Sequence, residues 1–183
     1  MTPHARRGNV PFMSELLEPS VHRLLAYATE SDLPAWTPWP MPSGWAVSGI
    51  GHGIDGASVV ACSGPALIDG LADIFVISEE PGGSFGPSAV GATYAGGGLA
   101  PERQVADVHI TVDDRRAPMW RVESASDRDV LLGEAAGRWL WLVMFPDTTS
   151  LIVSDDFRLT ALSDLVGELD LIPVTGLTSR RPW

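Results

Sequence analysis

The sequence predicts an α+β fold: a mostly antiparallel β-sheet with an N-terminal helix and a short C-terminal helix. Three observations predict it. Apolar residues recur at helical spacing only near the two ends of the chain, short strand-like apolar runs fill the middle, and turn-forming residues punctuate those runs. Strands bracketed by terminal helices favour this class over alternating β-α units. With 183 residues, 45% of them hydrophobic, the chain can build one sizeable core, whereas two halves would each be small for self-sufficient burial. Residues 14–178 therefore read as a single domain, with a flexible tail over 1–13 and a C-terminal tail over 179–183.

Each element has its own signal. Leu17, Val21, Leu24, Leu25 and Ala28 are spaced for a helix within 14–31, and Pro19 with Ser20 marks its start, since proline suits a first turn and serine caps free N–H groups. The next run, PAWTPWPMPSGW (34–45), cannot be helical, because each proline fixes its own φ and pushes its predecessor toward extended backbone. Strands at 45–53 and 57–62 flank Asp55-Gly56, a pair suited to a tight hairpin turn. A third strand at 74–77 ends in Ser78-Glu79-Glu80. Residues 81–101 hold seven glycines and form a long loop of the kind that serves function or movement. Alternation resumes over 105–112, and 118–122 makes a short strand around Trp120.

The clearest element is the hairpin at 127–146, turning near Ala135-Ala136-Gly137. Its second strand places Trp139, Trp141, Val143 and Phe145 on one face and Leu140, Leu142 and Met144 on the other, so it belongs in the middle of the sheet. Leu162, Leu165, Val166 and Leu169 then predict the short C-terminal helix.

Composition removes whole classes of function. The formal net charge of -11 repels the phosphate backbone, so nucleic acid is not an expected partner. All twelve basic residues are arginine; a phosphate-loop lysine, a pyridoxal Schiff base and any lysine nucleophile are thereby excluded. No positive side chain occurs between Arg23 and Arg103. Cys62 is the only cysteine, which excludes an intramolecular disulfide and fits a reducing cytoplasm. No apolar run approaches the roughly 18 to 20 residues that span a bilayer, so no membrane segment is expected.

The motifs each face a plain structural alternative. Gly51-His52-Gly53-Ile54-Asp55-Gly56 fits GxGxxG, but a dinucleotide fingerprint must open a helix and the residues that follow are β-branched, so the hairpin reading stands and no cofactor is expected. Cys62 and Ser63 end a strand, where nucleophiles occur, and His52 or His109 could serve as base. Against this, a lone cysteine on a strand is usually a small buried hydrophobe. Asp107-Val108-His109 is at most a fragment of a metal site, and no metal is expected. The pairs Asp113-Asp114 and Asp155-Asp156 suit turns. Trp36, Trp39, Trp45 and Trp120, with Glu79 and Glu80, are the candidate binding residues; the alternative is a stiff Trp/Pro strap that buries its indoles across the sheet.

In combination, PAWTPWPMPSGW (34–45), VVACSGP (59–65), ISEEPG (77–82), APMWRV (117–122), GEAAGRWLWLVMFP (133–146) and ELDLIP (168–173) resemble a family of actinobacterial domains of unknown function, over about residues 18–178. Members of the family it resembles often begin with a cysteine-containing segment like a zinc ribbon. MTPHARRGNVPF has no cysteine here, so that segment's role does not carry over. The resemblance implies a cytoplasmic actinobacterial protein and supplies no catalytic residues. The expectation is a non-catalytic domain that binds a protein partner or small ligand through the Trp/Pro strap and the Gly-rich loop. Two alternatives accompany it: an acyl- or phosphoryl-transfer or hydrolytic enzyme using Cys62 or Ser63 with a nearby histidine, and assembly into a homodimer.

Overall fold

The computed structural model describes residues 15–53, 56–68, 70–81 and 105–172. In chain order the elements are β1 (Glu15–Leu17), α1 (Val21–Glu30), β2 (Trp36–Pro38), β3 (Ala46–His52), β4 (Ser58–Pro65), β5 (Leu71–Glu79), β6 (Val108–Val112), β7 (Arg115–Val122), β8 (Asp129–Ala135) and β9 (Arg138–Phe145). A 3-10 segment (Asp147–Ile152), β10 (Arg158–Ala161) and α2 (Leu162–Leu165) complete them. The Gly-rich run, Ile54-Asp55 of the first hairpin turn and both chain ends lie outside the described residues.

The described strands join in one sheet, ordered β1-β3-β4-β5-β9-β8-β7-β6-β10-β2. Its pairs are antiparallel except β10 against β6. The mostly antiparallel sheet read from the sequence is what forms. β9 does lie in the interior, between β5 and β8, because a strand apolar on both faces is satisfied only with cover above and below. The β8–β9 turn uses Ala136 (φ 51°) and Gly137 (φ 73°), and the β6–β7 turn uses Asp113 (φ 44°) and Asp114 (φ 62°). Two consecutive positive φ angles give a turn whose twist matches the strands it joins.

Alternation along the strands separates two cores. On one face Ile50, Val60, Cys62, Ile74, Val76, Met119, Leu131 and Leu142 meet Leu24 and Tyr27 of α1, Trp36 of β2, Trp45, and Leu162 of α2. On the other, Val59, Ala61, Phe75, Ile77, Val130, Leu132, Trp141, Val143 and Phe145 pack together, with Phe75 edge-on to Phe145 at 5.9 Å.

Several local expectations change. Residues 15–17 are strand, paired with Ile50, Gly51 and His52 of β3, and the helix starts at Val21. Pro19 explains the break, since it disfavours helical backbone at Glu18; the Ser20 hydroxyl then caps the Arg23 N–H at 3.3 Å. Leu17, Val21 and Leu25 are consequently exposed, and only Leu24 and Tyr27 of α1 are buried. The Trp/Pro strap contains a strand of its own, β2, whose partner β10 has no clear sequence signal. α2 is a single turn. Among the described residues no helix is long and apolar enough to cross a membrane.

Candidate ligand groove

α1 packs across β3 through Tyr27. The Tyr27 hydroxyl accepts from the Val59 N–H at 3.0 Å and lies 2.6 Å from the Gly51 carbonyl and 2.8 Å from Ser58 Oγ. Burial raises its pKa above 10.0, with the Ser58 and Val59 hydrogen bonds pulling the other way. This anchor sets α1 over one end of β3 and leaves a groove of about 630 Å³ between them.

The helix presents Arg23, Ala26, Tyr27 and Glu30 to the groove, spaced i, i+3, i+4 and i+7 and so on one face. Leu17, Leu33 and Ile50 add apolar wall; Ser31, Asp32, Gly51, His52 and Gly56 complete the lining. The His52 ring sits 5.2 Å from the Tyr27 ring, tilted by 52°. An apolar floor with a few polar groups at its margin is the usual make-up of a small-molecule site.

Two smaller cavities continue the depression. One of about 190 Å³ shares Ser31, Asp32 and Leu33 with the groove and adds Pro34, Ala35 and Trp36 from the strap. Trp36 and Asp113 are shared in turn with a third, of about 380 Å³, that reaches Arg115, Arg116 and Glu134. Asp113 is the pivot: Oδ2 accepts from Trp36 Nε1 at 2.6 Å and Oδ1 from the Ala161 N–H at 2.9 Å, tying strap, β6–β7 turn and β10 together.

The model of a family of unknown function, DUF6758, matches residues 4–181. The chain belongs to that family. No curated protein and no solved structure matches it.

Of the remaining sequence candidates of this DUF6758 chain, Cys62, Ser63 and His109 are not part of the groove's lining. Cys62 is fully buried, its thiol 3.4 Å from Thr37 Oγ1. Burial pushes that thiol up to about 12, with the Thr37 hydrogen bond a smaller opposing influence. Ser63 donates to Asp73 Oδ1 at 2.6 Å and meets Ser48 Oγ at 2.7 Å, all three side chains being buried. Neither group is placed to attack a substrate from solution. His109 stands on β6, away from the groove, and its backbone N–H donates to Asp155 Oδ1 at 2.9 Å. Among the described histidines, only His52 lines the groove.

The binding candidates divide by sheet face. Trp36 and Trp45 are in the first core at 1% and 4% exposure, and Trp39 is half-buried. Trp120 is half-buried on β7; Glu79 is buried and accepts from Trp141 Nε1 at 2.9 Å; Glu80 pairs with Arg138 at 3.1 Å. Among the described residues no three His, Cys, Asp or Glu side chains are grouped to hold a metal.

Sequence reasoning missed Tyr27, Arg23, Glu30 and Asp32 of this DUF6758 domain. The available signal was the placement of charge on α1, with Arg23 near its start and Glu30 at its end.

Proposed function

We propose that this DUF6758 domain is a non-catalytic cytoplasmic binding module that takes a protein segment or small ligand in the groove under α1. The observation that carries the proposal is the groove itself: about 630 Å³, apolar at its floor and polar at its margin, with a neighbouring cavity that shares Ser31, Asp32 and Leu33 of its lining. The strap contributes Pro34, Ala35 and Trp36 to that extension, so its part in binding is to build a wall. The buried state of Cys62 and Ser63 supports binding over nucleophilic catalysis. A G+C-rich genome would account for a basic complement made only of arginine, in keeping with an actinobacterial source.

The test is to block the groove without disturbing the core. Ala26 lines the groove at partial exposure, so Ala26→Trp fills it. Tagged wild type and variant are recovered from the native host and their bound species read by mass spectrometry. A species held by the wild type and lost from a variant of unchanged melting temperature supports the proposal. Equal retention by both proteins rejects it.

A further inference from the structure

Helices are stabilised by carboxylates in the first turn and cations in the last, because the free N–H groups at the start carry partial positive charge and the free carbonyls at the end partial negative charge. α1 is arranged the other way. Its first turn holds no acidic residue and its last no basic one. Arg23 stands in the first turn instead, Glu30 is the final residue, and Asp32 follows two positions later. This order costs the helix stability, and it has one structural result: all three side chains line the same groove.

Arg23 and Glu30 are seven positions apart, which is about 10 Å along the axis. The field of the helix therefore adds to its side-chain charges, making the groove positive at the Arg23 end and negative at the Glu30 and Asp32 end. Arg23 Nη1 donates to the Glu18 carbonyl at 2.9 Å, which holds the guanidinium at that end. Among the described residues neither Glu30 nor Asp32 takes part in an ion pair. The walls between are Ala26, Tyr27, Leu33 and Ile50.

We infer that the groove binds a short zwitterionic peptide of two or three residues, its N-terminal ammonium at Glu30 and Asp32 and its C-terminal carboxylate at Arg23. Extended chain covers about 3.3 to 3.6 Å per residue, so three residues span about 10 Å. A guanidinium fork matches a carboxylate's two oxygens, and the apolar walls receive an aliphatic side chain between the charged ends. An internal segment of a protein lacks both terminal charges and is disfavoured. The inference rests on the binding role proposed above and specifies the ligand for that site.

The probe is the tripeptide Ala-Leu-Ala in four forms: free at both ends, N-acetylated, C-amidated, and blocked at both. Binding is followed by titration calorimetry and by backbone amide shifts of Tyr27, Gly51 and His52. The free peptide should bind and shift these amides, and each block should weaken it by about fivefold at low salt, the scale of an exposed ion pair. Arg23→Gln should erase the penalty of amidation but keep that of acetylation; Glu30→Gln with Asp32→Asn should do the reverse. These residues are exposed, so the variants should keep the fold. Equal binding of free and doubly blocked peptide overturns the zwitterionic ligand and leaves the groove as a binding site. Absence of any shift with all four peptides at millimolar concentration also overturns it; the binding role then stands or falls with the Ala26→Trp comparison.

Discussion

The indole of Trp45 lies directly on the backbone of Gly64. A Cβ at position 64 would come 2.5 Å from Cδ1 and 2.6 Å from Cδ2 of that ring. Trp45 is buried at 4% exposure and cannot swing aside. Gly64→Ala should therefore destabilise the domain by about 1–3 kcal/mol, the range of overpacked cores, read as a lower urea midpoint at unchanged slope. Gly137→Ala is the contrast. No atom beyond its chain neighbours lies within 4 Å of its added Cβ, so the strain comes from its φ of 73° alone and should cost about 1–2 kcal/mol.

Asp113→Ala removes the acceptor of both the Trp36 indole N–H and the Ala161 N–H. A hydrogen bond to a charged group contributes roughly 1.5–3 kcal/mol, and the buried indole is left without its acceptor, so a loss of about 3 kcal/mol is expected in chemical denaturation. Asp113→Asn keeps one good acceptor and a side chain that tolerates positive φ, and should recover about half of that loss.

Tyr27→Phe tests the anchor of α1. It strands the Val59 N–H, which faces the Tyr27 hydroxyl inside the protein, and should cost about 1–3 kcal/mol. Because the phenyl ring still lines the groove, amide exchange should quicken most along α1 and at Val59.

Stability should decline in alkali for a definable reason. In the unfolded chain Cys62 ionises near 9.0, whereas burial holds the folded thiol protonated up to about 12. Between those values the unfolded state has shed a proton that the folded state keeps, so the contribution is intact below pH 9 and falls as pH rises toward 12. Tyr27, also raised by burial, adds to the decline above pH 10. Cys62→Ala should flatten the part that begins near pH 9 in a series of urea titrations. In the same range iodoacetamide should label native wild type only as fast as the protein opens.

Which parts of this could be read from the chain follows from the range of the interactions. The β8–β9 hairpin was legible because pattern and turn lie within twenty residues, and the position of β9 followed from its two apolar faces. Asp113 was legible as a turn residue but not as the acceptor for Trp36, a partner 77 residues away. β10 escaped because four residues paired along one side to β6 and along the other to β2 show no alternation of their own. The groove escaped for the same reason: its walls come from α1, β1, β3 and the segment after α1, and only packing brings them together.

The order of the sheet also dictates when it can be finished. β1 and β2 occupy its two opposite margins, although only α1 and a short connection separate them in the chain. β1 finds its partner β3 soon after synthesis, but Thr37 of β2 must wait for Thr160 of β10, near the other end of the chain. On a ribosome, β1 can therefore cover its stretch of β3 early, while Val47 of β3 waits for Asp170 and Ile172 and the β2 margin stays open until almost the whole domain has emerged. The late margin is where a nascent chain would be held by a chaperone, and where a truncated product would aggregate edge to edge.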